Sequence, residues 1–158
     1  MAVDMSVEPD PQTVQRRLSV VLVADVVGSS RLMEADEAFA MAAIRDVLSG
    51  VLGPVASRSG GRLFKSVGDG ALFEFASPVS AVQTAIEVQT ILDQRAAGHP
   101  PERRIVLRIG INLGDVVVQP DGDLYGDGVN VAARIEGLSP PGGVSMAAST
   151  CSRASAGP

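Results

Sequence analysis

A Val-rich opening strand, a hairpin turned by Gly-Asp-Gly and an alternating apolar strand, with helical stretches between them, predict an α+β domain. The order implies a ferredoxin-like (βαββαβ) core with additional strands and a C-terminal helix–strand. RLSVVLVADV (17–26) is a short β-branched and aliphatic run, the pattern of a strand covered on both faces. KSVGDGALFEF (65–75) sets Gly68-Asp69-Gly70 between two apolar arms, and Asp-Gly is a preferred hairpin pair. IVLRIGINLG (105–114) places Ile105, Leu107, Ile109, Ile111 and Leu113 on one side, the alternation of a half-buried strand. Many chemistries use such a fold, so it positions a site without defining it.

The elements follow in order. Residues 1–15, with Pro9 and Pro11, read as a disordered arm, and the domain spans 16–150. After the first strand, Glu34, Asp36 and Glu37 suit the first turn of a helix, where the dipole favours acids. Met41, Ile44, Leu48, Val51 and Val55 recur at steps of three and four, a one-sided stripe that Gly53-Pro54 is expected to break or kink. The hairpin occupies 62–67 and 70–76. Ser77-Pro78 matches an N-cap followed by proline at the first helical position. That helix runs to about Arg95, with Val79, Val82, Ile86, Ile91 and Leu92 inward. Residues 96–104 form a loop, 105–114 a strand, 116–118 a separate partner strand and 119–123 a turn. A helix over 126–138 and a strand over 142–148 complete the domain, and 151–158 read as a disordered tail.

With 158 residues, 46% of them hydrophobic and 20% charged, the chain suits one globular domain. A net charge of −5 argues against nucleic-acid binding, which needs a basic face to neutralise phosphates. The single cysteine, Cys151, rules out an internal disulfide and a cysteine metal cluster. No apolar run approaches the roughly 18–20 residues of a membrane span, and the first residues are not signal-like. The expectation is a soluble, cytoplasmic domain with no direct membrane contact.

Asp25 closes the first strand and Asp69 sits at the hairpin tip, so the two carboxylates converge if those elements are neighbours. Such a pair repels at neutral pH unless a cation lies between them. Mg²⁺ is commonly bound by one or two carboxylates together with phosphate oxygens. VVGSS (26–30) leads toward a helix start, whose free N–H groups favour phosphate. A turn role for Asp69 and a capping role for Asp25 explain the same residues with no ligand. The lone histidine, His99, lies in a Pro-flanked loop and reads as a solvated surface residue.

VADVVGSSRLM, GGRLFKSVGDGALFEF, RIGINLGDVVV and LYGDGVNVAARIEGLSPPGG together resemble the class III nucleotidyl cyclase catalytic domain of the bacterial adenylate cyclase type. The resemblance covers about residues 17–150. It implies that Asp25, Asp69 and the Val26 carbonyl hold two Mg²⁺ or Mn²⁺ ions. It further implies that the backbone of Val26, Val27, Gly28, Ser29 and Ser30 holds the triphosphate of ATP. Lys65 and Asp123 match the base-reading pair, while Asn130 and Arg134 match the transition-state pair. The implied reaction is attack of the ribose 3′-hydroxyl on the α-phosphorus, giving 3′,5′-cyclic AMP and pyrophosphate.

Hydrogen-bond polarity separates the bases. Adenine presents an amino donor at N6 and an acceptor at N1, and guanine presents the reverse. Asp123 only accepts and Lys65 only donates, which suits adenine. The family pattern also implies a homodimer with shared sites: Asp25 and Asp69 of one protomer face Lys65, Asp123, Asn130 and Arg134 of the other.

The pattern is not matched everywhere. The tail TCSRASAGP offers no counterpart of the family's C-terminal lysine, and Asp115 stands where some relatives place an arginine. Weaker phosphate binding is therefore expected, at about 1.5–3 kcal/mol per lost charge-assisted contact. A catalytically impaired dimerising or nucleotide-binding regulatory module is the alternative reading. A different nucleotidyl transferase, such as a diguanylate cyclase, fits the two acids but not the Lys65–Asp123 pair or NVAAR.

Overall fold

The computed structural model describes residues 14–155. Its spine is a pair of twelve-residue strands, β1 (Gln15–Val26) and β4 (Leu107–Val118), antiparallel and in register from Gln15↔Val118 to Val26↔Leu107. On the other side of β1 lies β3 (Gly70–Phe75), which carries β2 (Arg62–Val67) beyond it. The order β2-β3-β1-β4 is the split βαβ arrangement that the sequence predicts. Two short strands share the outer edge of β4. β5 (Leu124–Tyr125) pairs antiparallel at Val117–Val118, and β6 (Val144–Met146) pairs parallel at Ile109–Ile111.

Strand alternation divides β1 between two cores. Val20, Leu22, Ala24 and Val26 face a large apolar layer built from the helices between β1 and β2 and from α4 (Pro78–Ala96). Val21 and Val23 face a smaller layer with Phe64, Leu72, Val116, Leu124, and Val129 and Ala132 of α5 (Asp127–Leu138). Gly110 lets α5 approach. A Cβ built there would lie 2.4 Å from the Glu136 nitrogen and 2.8 Å from the Ala132 carbonyl oxygen. Glycine is the residue that allows helix backbone to rest directly on the strand.

The helical region after β1 is more segmented than its periodicity suggests. α1 (Ser29–Ala35) ends at Asp36, whose side chain accepts from the Phe39 N–H and caps α2 (Glu37–Arg45). A π-helical segment, Asp46–Leu52, then leads into α3 (Gly53–Arg58). Pro54 does not end the helix. It falls in the first turn after the wide π turn, where a missing N–H costs least. The π segment also shifts the inward face, so Val47 and Leu52 join Ile44, Val51 and Val55 in the core while Met41 stays 48% exposed. On α4 the buried positions are Ala81, Thr84, Ala85, Val88 and Leu92, and Ile86 is 56% exposed instead of inward.

Residues 116–118 are not a separate strand. β1 is long enough to pair with the whole of 107–118, including Leu18↔Asp115 and Ser19↔Gly114, so no turn forms at Gly114-Asp115. The expected disordered ends also differ. β1 already includes Gln15, with residues 1–13 outside the described part, and α6 (Ala148–Ser155) occupies much of the expected tail, with 156–158 outside. Glu37–Arg58 is long and apolar enough, by length and composition alone, to cross a membrane. Here its apolar side chains, Ile44 through Val55, pack on the sheet as a core helix.

Candidate active site

The end of β1 and the tip of the β2–β3 hairpin meet, as the ladder register requires. Asp25 lies opposite Gly70, and the Val26 N–H donates to the Asp69 carbonyl oxygen at 3.1 Å. Gly68, with φ of 54°, turns the chain so that Asp69 faces the strand end. The two carboxyl groups come within hydrogen-bonding reach of each other. Burial, the Asp69 charge and the hydrogen bond to Asp69 push Asp25 from its ordinary 3.8 up to about 6, against the Val26 N–H and the charge of Arg108. The sequence-level convergence of Asp25 and Asp69 is thus present in the geometry.

This pair suits a divalent cation. The carboxyl of Asp25, raised by burial and by the neighbouring Asp69 charge, is relieved by a cation placed between the two groups. Among the described residues no cluster of three or more His, Cys, Asp or Glu is arranged to hold a metal. A site of two protein carboxylates completed by other oxygen ligands is the style of Mg²⁺.

The segment after Asp25 turns into α1 through Gly28, whose φ of 66° lies in the left-handed region. The Val27 N–H is already committed to the Val106 carbonyl at 2.8 Å. That leaves Gly28, Ser29 and Ser30 as the part of the expected phosphate segment at the helix start, where N–H groups lack intrahelical partners. Beside them, Ser29, Asp69 and Arg45 line a cleft of about 510 Å³ together with Met33, Met41 and Leu48.

Lys65 lies on β2 and Asp123 immediately before β5, the two ends of the sheet order, yet Lys65 Nζ lies 3.2 Å from Asp123 Oδ2. Strong curling of the sheet brings the edges together across the face that α5 fills, where Phe64 and Leu72 share a core with Val118 and Leu124. A register shift between Leu63 and Lys65 marks a bulge, a device that re-aims a side chain. Asp123 is held by its own backbone: its Oδ1 accepts from the Leu124 N–H at 2.8 Å, and its N–H donates to Asp121 Oδ1 at 2.9 Å.

Asn130 and Arg134 sit one turn apart on the exposed side of α5, followed at the same spacing by Leu138, 86% exposed. The cation acting on Asp25 is Arg108, and Arg134 is not among the charges that shift it. Within one protomer, therefore, the structure joins Asp25 to Asp69 and Lys65 to Asp123 but turns Asn130 and Arg134 outward. Sequence reasoning missed Arg108 and Glu136. Arg108 is a charged residue on the face of β4 opposite Leu107 and Ile109, a signal available in IVLRIG, but its place opposite Asp25 depends on register.

The family model described as the adenylate and guanylate cyclase catalytic domain matches residues 14–156. A Rhizobium meliloti (strain 1021) protein named as an adenylate cyclase is 48% identical over 135 residues, 85% of this chain and 23% of its own length. An adenylate cyclase of Streptomyces coelicolor is 31% identical over 131 residues, 83% of this chain and 32% of its own. The chain thus spans about a quarter to a third of the length of these curated relatives. Among solved structures, an adenylate/guanylate cyclase/hydrolase from Silicibacter pomeroyi matches with a TM-score of 0.81 and 38% identity, over 89% of this chain and 81% of that one. The adenylyl cyclase CyaB from P. aeruginosa matches with a TM-score of 0.75 and 26% identity, over 89% and 81%.

Proposed function

The chain belongs to the adenylate and guanylate cyclase catalytic domain family, and from that premise we propose that it converts ATP to 3′,5′-cyclic AMP and pyrophosphate in a homodimer with shared sites. The observation that carries this reading is the division of the protomer. The acid pair Asp25–Asp69 and the pair Lys65–Asp123 are each assembled, while Asn130 and Arg134 point to solvent on α5. A partner's acid pair is the natural counterpart of that outward face, and Leu138 on the same stripe gives the partner apolar surface to cover.

In the reaction the ribose 3′-oxygen bonds to the α-phosphorus, its proton leaves to solvent, and the bond to the bridging oxygen of pyrophosphate breaks. Asp25 and Asp69 would hold Mg²⁺ or Mn²⁺, which would lower the pKa of the attacking hydroxyl and offset charge on the leaving group. The start of α1 at Gly28–Ser30 receives phosphate oxygens. Lys65 donates to adenine N1 and Asp123 accepts from its amino group. Asn130 orients the ribose, and Arg134 meets the charge that grows on the α-phosphate. No protein nucleophile takes part.

The test is complementation. Purified wild type with Mn²⁺ and ATP is expected to release cyclic AMP and pyrophosphate, with Asp25→Ala and Arg134→Ala each inactive alone. Mixed, the two variants form hybrid dimers with one intact site, so roughly a quarter of wild-type activity returns when half of the dimers are hybrids. A mixture that stays inactive beside an active wild type refutes the shared site. A wild type that makes no cyclic AMP refutes the function.

A further inference from the structure

One buried acid near the site has no role in the chemistry above. Glu136 lies on the inner face of α5 and is only 9% exposed. Its backbone rests on Gly110 of β4, as the close approach of the Glu136 nitrogen shows. Two residues along β4, and so on the same face, is Arg108, which pairs across the ladder with Asp25. Arg108 Nε donates to the Ser139 carbonyl at 3.0 Å, tying this point of the strand to the end of α5. Burial and the Asp25 charge raise the Glu136 carboxyl above its usual range, Arg108 opposes them and Asp69 adds to them. Arg108 thus stands directly across the ladder from Asp25, and Glu136 is buried over the next position of β4 on that face, Gly110.

We propose that Glu136 is a positioning residue for Asp25, setting the placement and charge of the metal-binding acids from the inner face of α5, with Arg108 as the shared counter-charge. The proposal rests on the reading of Asp25 and Asp69 as metal ligands. It gives α5 two jobs on opposite faces. Asn130 and Arg134 face outward to the partner's site, while Glu136 is buried on the inner face, over Gly110 and next to the strand position that pairs with Asp25. In the shared-site dimer, a shift of this helix is felt at both sites.

Mn²⁺ binding to the full chain without nucleotide, followed by the free Mn²⁺ resonance signal, tests this apart from activity. Glu136→Gln keeps the shape and removes the charge, and its Mn²⁺ dissociation constant is expected to rise about three- to thirtyfold. Glu136→Asp, which keeps the charge, stays within about threefold of wild type. Arg108→Gln has the opposite sign and tightens Mn²⁺, a pattern that a packing role does not produce. Unchanged affinity in Glu136→Gln, or an equal loss in Glu136→Asp, overturns the proposal. If wild type binds no Mn²⁺, or its binding survives Asp25→Asn, the metal reading fails and this inference falls with it. If binding is lost in Asp25→Asn but unaffected by Glu136→Gln, the inference alone fails.

Discussion

Replacing Asp69 by Asn separates the charge of the acid pair from its shape. In metal-free protein Asp25 titrates near 6 instead of 3.8, chiefly through burial and then through Asp69. A folded-state pKa above the unfolded one gives stability that is present below pH 3.8 and lost as pH rises to about 6. Taken whole, the shift corresponds to at most about 3 kcal/mol at 1.36 kcal/mol per pH unit. Asp25 is partly open to solvent, so screening reduces this to about 1–2 kcal/mol, and Asn removes only the share due to Asp69. The expected result is a variant about 0.5–1 kcal/mol more stable than wild type at pH 8 in EDTA, with the difference vanishing below pH 4. Urea melts across that range measure it. Mn²⁺ should then stabilise wild type and leave the variant unaffected, reversing the order. A variant no more stable than wild type at pH 8 in EDTA refutes the account of two carboxylates confronting each other.

Two further predictions follow from single contacts. Gly110→Ala places a methyl group within 2.8 Å of three backbone atoms of α5, which have no rotamer to escape by. The helix must lift, so a loss of about 1–3 kcal/mol in chemical denaturation is expected, together with a fall in cyclisation as Asn130 and Arg134 move. Wild-type stability and activity would show that α5 is not seated on β4. For base choice, Lys65→Glu with Asp123→Ser reverses the donor and acceptor pattern. It should lower the ATP-to-GTP ratio of kcat/KM by tenfold or more, since unpaired polar groups penalise the wrong base strongly. Parallel assays with the two nucleotides read this, and an unchanged ratio would remove the pair from base recognition.

Much of the fold was legible because local pattern and tertiary role coincide. VVLVA (20–24) is apolar throughout because β1 is covered there on both faces, by α4 and its neighbours on one side and α5 on the other. GDG could be read as a hairpin tip because the turn requires a positive φ at Gly68. The acid pair was also legible, since Asp25 ends a strand and Asp69 tips the neighbouring hairpin. The helix faces were less so. A π turn at 46–52 displaces the apolar stripe, and on α4 Ala81 and Ala85 take fully buried positions while Ile86, expected inward, is exposed.

The sequence by itself determined the βαββαβ order of the core, the placing of one acid at a strand end and one at a hairpin tip, and the spacing of Asn130 and Arg134, because these depend on periods of two and 3.6 residues and on turn chemistry. Tertiary structure alone decided that the twelve residues of β4 form one strand, that Arg108 stands opposite Asp25, and that Glu136 comes to rest above Gly110. It also decided that Lys65 and Asp123 meet from the two ends of the sheet order. Register and sheet curl arise from the summed packing of both faces, and no local stretch of residues encodes a sum.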